Sequence, residues 1–130
     1  MNDIKLMNKA ADNIRILAAS MVEKAKSGHP GGAMGGADFV NVLFSEFLVY
    51  DPKNPAWEGR DRYFQDPGHM SPMLYSVLAL AGKFTIDELK EFRQWGSVTP
   101  GHPEVNVMRG IENTSGPLGQ GHTYACLLYT

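Results

Sequence analysis

Ser27-Gly28-His29-Pro30-Gly31-Gly32 is the stretch on which the reading of this chain turns. It opens a series, because His29, His69, His102 and His122 are all the histidines of the sequence and each follows a glycine. Glycine lacks a Cβ, so it adopts backbone angles that other residues avoid and lets a ligand approach closely. In Gly28-His29-Pro30 and Gly101-His102-Pro103 the following proline pushes the histidine toward extended geometry and fixes the next φ. One Gly-His pair is ordinary loop chemistry. Four in four predict loop imidazoles that share a pocket.

Upstream of this stretch, Ile4, Met7, Ala11, Ile14, Ala18, Met21 and Ala25 recur at alternating spacings of three and four, the stripe of an amphipathic helix that Gly28 stops. Its alanines suit close packing in a globular domain better than a coiled-coil seam. Downstream, past Gly36, residues 39–49 (Phe39-Val40-Asn41-Val42-Leu43-Phe44-Ser45-Glu46-Phe47-Leu48-Val49) are apolar on nearly every side, which predicts a helix or strand buried on several faces. Asp51-Pro52-Lys53-Asn54-Pro55 breaks it. Arg62-Tyr63-Phe64-Gln65 reads as a short strand entering the Pro67-Gly68-His69 turn. Ser71 and Pro72 form an N-cap and first-position pair for a helix to about Leu80, with Gly82 beyond its end. Thr85 and Glu88 form a capping box for a second helix that turns Leu89 and Phe92 inward and stops at Gly96. Residues 97–121 show no periodicity, and an irregular connection of that length inside a compact domain is more often functional than filler.

The chain has 130 residues, which bounds it to about one domain with a core of its own. A net charge of −2 with both signs interspersed excludes a nucleic-acid footprint. The lone Cys126 rules out an internal disulfide and fits a reducing compartment, and the polar N-terminus lacks the layout of a signal peptide. No apolar run reaches the ~18 residues that span a bilayer. The expectation is a cytoplasmic protein with neither membrane nor nucleic acid as a partner.

The histidines have no i, i+4 spacing and no cysteine cluster beside them, so a metal held by this chain alone is unsupported. A serine or cysteine nucleophile is equally unsupported, because no Gly-x-Ser-x-Gly elbow is present. Imidazoles that hydrogen-bond hydroxyl, carbonyl or phosphate oxygens and move protons near neutral pH remain. Gly116-Pro117-Leu118-Gly119-Gln120-Gly121 matches neither the dinucleotide fingerprint nor the phosphate loop, yet its bare backbone suits contact with a flat ligand. Arg62, Glu104 and Trp95 read as ion-pair or loop-packing residues.

Ser27-Gly28-His29-Pro30-Gly31, Gly68-His69-Met70-Ser71 with Leu74-Tyr75 after it, Gly101-His102-Pro103-Glu104, and Thr114-Ser115-Gly116-Pro117-Leu118-Gly119-Gln120-Gly121 resemble, in order and spacing, the first four landmarks of the transketolase family. The resemblance runs from the first helix to about Ala125. It implies an α/β fold, with residues 1–130 forming the N-terminal portion of a thiamin-diphosphate-binding domain. This portion should be mostly helical, since the parallel strands of the sheet lie beyond residue 130. It further implies transfer of a two-carbon ketol unit between sugar phosphates, with thiamin diphosphate and Mg or Ca as cofactors. The implied partners are the remainder of transketolase or a C-terminal subunit, in a homo-oligomer.

Residue by residue, the resemblance implies that His29 and His102 are catalytic, hydrogen-bonding the oxygens of the ketol unit and assisting its proton transfers. His69 would contact the diphosphate, and Gly116, Pro117 and Leu118 would face the aminopyrimidine and thiazolium. The family's Gly-Asp-Gly stretch, the later asparagine and the second domain's activating glutamate have no counterpart here, so the resemblance implies a truncated piece, inactive alone. The other readings are a folded non-catalytic fragment that binds a phosphate ligand or a partner chain, and an unrelated helical interaction module.

Without a sheet to cover them, Val42, Leu43, Phe47, Leu127, Leu128 and Tyr129 are expected to form an exposed apolar surface. Burial of such surface yields roughly 25 cal/mol per Å², so the isolated chain is expected to self-associate or to be poorly soluble. Light scattering checks this, and a compact monomer at high concentration contradicts it.

Overall fold

In the computed structural model, which describes residues 2–129, the chain folds as α1 (Ile4–Ala25), α2 (Pro30–Gly35), α3 (Ala37–Val42), α4 (Ser71–Leu80), α5 (Ile86–Lys90) and α6 (Gln120–Tyr129). A π-helical turn follows α3 at Leu43–Phe47, and 3₁₀ turns occupy Gly68–Met70 and Val107–Arg109. Among the described residues no strand forms, and Asn106 and Ile111 make an isolated antiparallel bridge. The mostly helical character expected of this portion of the fold is what the structure has.

The long first helix starts where Asp3 accepts the Lys5 amide on its side chain (3.2 Å), satisfying one orphan donor of the first turn. Its expected stripe is buried at Ala11, Ile14, Ala18 and Met21, while Ile4 at the stripe's start lies in solvent. The small alanines allow α1 to lie against α2, α3 and α4. The helix stops earlier than Gly28, because Lys26 takes the left-handed conformation (φ 51°) and its amide bonds back to the Glu23 carbonyl.

Residues 39–49 differ from expectation in burial. The segment is helical, and Val40, Asn41 and Phe44 face inward, but Phe39, Val42, Phe47 and Val49 are exposed. One face is covered by α1 and α4, and nothing among the described residues covers the other. Phe39, Val42, Leu43 and Phe47 line an open apolar groove with Asp38 at its edge.

α4 is the central element, with every residue from Ser71 to Leu78 buried. Ser71 lies inside this helix and does not cap it, because the 3₁₀ turn extends the helical path back to Gly68. Its hydroxyl instead donates to the Gly101 carbonyl (2.7 Å), and the Tyr75 hydroxyl donates to the Pro100 carbonyl (2.8 Å). Burial, with the Glu104 charge, pushes the Tyr75 phenol far up, so it stays a donor. Tyr75 also meets the rings of Phe84 and Phe92 at 5.4 and 6.3 Å.

The expected strand at residues 62–65 is not formed. Gln65 is buried, but its amide donates to Asn113 Oδ1 (3.1 Å) and its carbonyl accepts from Asn113 Nδ2 (3.3 Å). A side-chain amide thus serves the hydrogen-bonding groups that a neighbouring strand would serve.

The capping box at α5 is present as expected. Thr85 accepts the Glu88 amide (3.2 Å), and the Glu88 carboxylate accepts the Thr85 amide (2.8 Å). Leu89 and Phe92 are buried, and the helix ends at Lys90, short of Gly96. The same carboxylate accepts from Arg109 (2.7 Å), which lies over Phe84. Arg109 chiefly, then the Thr85 amide, holds the Glu88 carboxyl down at about 2, against 4.5 unperturbed. The folded carboxyl therefore releases its proton more readily than the unfolded one, so its stabilisation is complete above pH 4.5 and lost as the pH falls toward 2. In urea unfolding, Glu88→Gln is expected to lower stability at neutral pH and to flatten the decline across that acid window.

Candidate functional site

His29 stands immediately before α2 in extended conformation (φ −125°, ψ 101°), with Pro30 opening the helix. That is the geometry a pre-proline residue prefers. His69 is in the 3₁₀ turn before α4, and its ring centroid lies 4.8 Å from that of His29. His102 follows Gly101 on the loop whose carbonyls α4 holds. Burial, then the Arg93 charge, then His69 and His29 keep the His102 imidazole below its usual value. Neighbours on three separate loops therefore bear on one ring, and it favours the neutral form that both donates and accepts a hydrogen bond.

The loop with Gly116, Pro117 and Leu118 is exposed, and Leu118 projects into solvent. It is anchored against the His69 turn, where a Cβ on Gly68 would lie 1.5 Å from the Ser115 carbonyl oxygen. Only glycine permits that approach. Downstream, the Gly119 amide donates to Asp66 Oδ1 (3.3 Å). The Ser115 hydroxyl is buried without a hydrogen-bond partner among the described residues, directly beside Gly68.

The fourth histidine departs from the expectation of a shared pocket. His122 meets Asp66 Oδ2 through Nδ1 (2.9 Å) at the start of α6 and is largely exposed. Asp66 thus ties the first turn of α6 to the His69 turn. Trp95 is fully exposed, so it does not pack within its loop, and among the described residues Arg62 and Glu104 make no ion pair. Arg93, which no periodicity marks, lines an open cleft with Trp95, Gly101, His102 and Glu104. Among the described residues no cluster of three or more histidine, cysteine or carboxylate groups is placed to hold a metal ion, and no helix is long and apolar enough to cross a membrane.

The family model described as "Transketolase, thiamine diphosphate binding domain" matches residues 6–129. The chain belongs to the transketolase family. It is 54% identical over 117 residues to a transketolase of Buchnera aphidicola, covering 89% of this chain and 18% of that protein. It is 52% identical over 121 residues to the chloroplastic transketolase-1 of Arabidopsis thaliana, covering 92% of this chain and 16% of that protein. Among solved structures, the transketolase of Leishmania mexicana superposes with a TM-score of 0.84 at 49% identity, covering 88% of this chain and 17% of that one. A Pichia stipitis transketolase solved with sedoheptulose-7-phosphate superposes at 0.85 and 45% identity, covering 89% and 17%. The chain thus spans under a fifth of the length of the transketolases it matches. The match sets aside the unrelated helical module. The matched residues 6–129 fall within the family's thiamin-diphosphate-binding domain.

The residues present suit such a cofactor on its diphosphate side. An imidazole pair lies beside an exposed, glycine-rich backbone with open space at Gly116, next to an unsatisfied hydroxyl. They do not supply a metal shell. Gly68→Ala is expected to displace the loop at residues 115–119 and to lower the thermal midpoint by several degrees, since the clash is with backbone and a loss of ~1 kcal/mol moves a small domain's midpoint by ~4–8 °C. Circular dichroism melting and the loop's amide shifts report both effects.

Proposed function

We propose that this chain supplies the diphosphate-side half of a transketolase site, in which a two-carbon ketol unit passes between sugar phosphates. The observation that carries the reading is the imidazole pair of His29 and His69, close enough to His102 for both to bear on its charge. Thiamin diphosphate, when bound, supplies the carbanion chemistry of the transfer. His69 binds the diphosphate from the 3₁₀ turn at the head of α4. Gly116, Pro117 and Leu118 present backbone groups to the aminopyrimidine and thiazolium. His29 and His102 hydrogen-bond the hydroxyl and carbonyl oxygens of the ketol unit. Being neutral near pH 7, His102 accepts a hydroxyl proton and returns it without first losing one to solvent.

The divalent ion, Mg or Ca, is held by residues outside these 130, as is the group that activates the aminopyrimidine. The working protein is therefore a homo-oligomer that includes the remainder of transketolase or a C-terminal subunit. The exposed apolar faces at Val42, Phe47, Leu127, Leu128 and Tyr129 favour such association. A cytoplasmic setting agrees with the single cysteine, although one relative named above is chloroplastic.

Calorimetric titration of thiamin diphosphate into the chain, with and without its completing partner, tests the proposal. Binding is expected to be weak for the chain alone and to strengthen with the partner, and His69→Ala is expected to weaken it at least tenfold. Equal binding by His69→Ala and the parent chain refutes the assignment of the diphosphate. Tight binding by the chain alone leaves the partner without the part given to it here.

A further inference from the structure

Arg93 has an unusual place in the fold. Its backbone is left-handed (φ 63°), a conformation rare outside glycine and held only where the surroundings impose it. Here the imposition is a hydrogen bond from the Arg93 amide to the Thr99 carbonyl (3.0 Å), which closes the turn after α5. Thr99 is itself buried, its hydroxyl donating to the Glu88 carbonyl (3.0 Å). The side chain is thereby directed back across the loop at residues 99–102. A Cβ on Gly101 would lie 3.0 Å from Arg93 Nε and 3.1 Å from Cζ, and one on Gly28 would lie 3.5 Å from Nη1. The guanidinium therefore lies in the space a side chain at Gly101 would need and within contact reach of one at Gly28, the glycines that precede His102 and His29. Arg60 and Arg109 hold carboxylates, whereas among the described residues Arg93 holds none. An ion pair does not account for its position.

We propose that Arg93 is a positioning residue, a planar spacer between the Gly28-His29-Pro30 and Gly101-His102-Pro103 loops that sets the separation of the two imidazoles. A guanidinium suits the task, since it is flat, permanently charged and weakly hydrated compared with an ammonium. Its charge adds to the repulsion from any proton on His69 or His29, and Glu104 is the acidic group that lines the same cleft. The consequence for catalysis rests on the site reading above, but the spacer itself is a property of the ligand-free chain.

The test therefore uses the full chain without cofactor, so that a failed thiamin diphosphate titration leaves it untouched. Two observables are followed by NMR: the pH midpoint of the His102 Cε1 proton, and the ring-proton contacts of His29 with its neighbours. Arg93→Met keeps the stem and removes the charge, and the His102 midpoint is expected to rise. Arg93→Lys keeps the charge and loses the plane, so the midpoint is expected to stay low while the ring contacts change. The spacing is tested separately by a double-mutant cycle with Gly101→Ala. That substitution is expected to lower the melting temperature in the parent chain and to lose most of this effect in Arg93→Ala. An unchanged His102 midpoint in Arg93→Met, or additive melting shifts in the cycle, overturns the proposal. Should Arg93→Ala fail to fold, the Met and Lys variants still decide it.

Discussion

Two buried hydroxyls hold this structure in its working form. Ser71 and Tyr75, one helical turn apart on α4, donate to the successive carbonyls of Gly101 and Pro100. An irregular loop this close to the core has backbone acceptors that water cannot reach, and each left unmade costs ~1–3 kcal/mol. By satisfying them from the most buried helix, the fold fixes the loop of His102 to the same element that the 3₁₀ turn of His69 leads into. The relation of these two imidazoles is thus set by rigid helix geometry and does not depend on loop length.

Around that axis the loops are fastened by contacts of similar, long sequence span. Ser115 lies against Gly68, Asp66 holds the start of α6, Asn113 serves the backbone of Gln65, and Arg60 meets Glu112 in a buried bidentate pair. All of them join residues 60–68 to residues 112–122, so the two halves of the loop-rich face behave as one. A bidentate guanidinium–carboxylate pair with little solvent gives direction as well as attraction. These polar ties align the exposed backbone at Gly116 with the imidazole pair, a placement that apolar packing, which has no direction, does not specify.

The electrostatics of the site follow from crowding like groups. Three imidazoles and Arg93 bear on a small space, and placing a second or third positive charge there is unfavourable. Held below its usual value, the His102 imidazole favours the neutral ring near neutral pH, which suits hydrogen bonds to oxygens. A negative charge placed beside His102 would act in the opposite direction and favour its protonation.

Periodicity by itself determined α1, because a stripe of Ile14, Ala18 and Met21 is buried by any globular packing, and local chemistry by itself determined α5, because the Thr85–Glu88 box closes within one turn. The Gly-His pairs at His29 and His102 marked imidazoles on loops, and Pro30 fixed the backbone of His29, whereas His69 falls in a 3₁₀ turn and His122 in α6. What decided the rest was long-range. Lys26 ends α1 ahead of Gly28, Ser71 turns from cap to tether, Gln65 finds Asn113 in place of a strand, and His122 turns to Asp66. Arg93 carries no local signal, since Gly28, one of the two glycines its guanidinium lies by, is distant from it in the chain. Propensity and capping act over a few residues, so a sequence displays them directly. Hydrogen bonds between residues 30 to 56 apart exist only once α4 has brought their loops together.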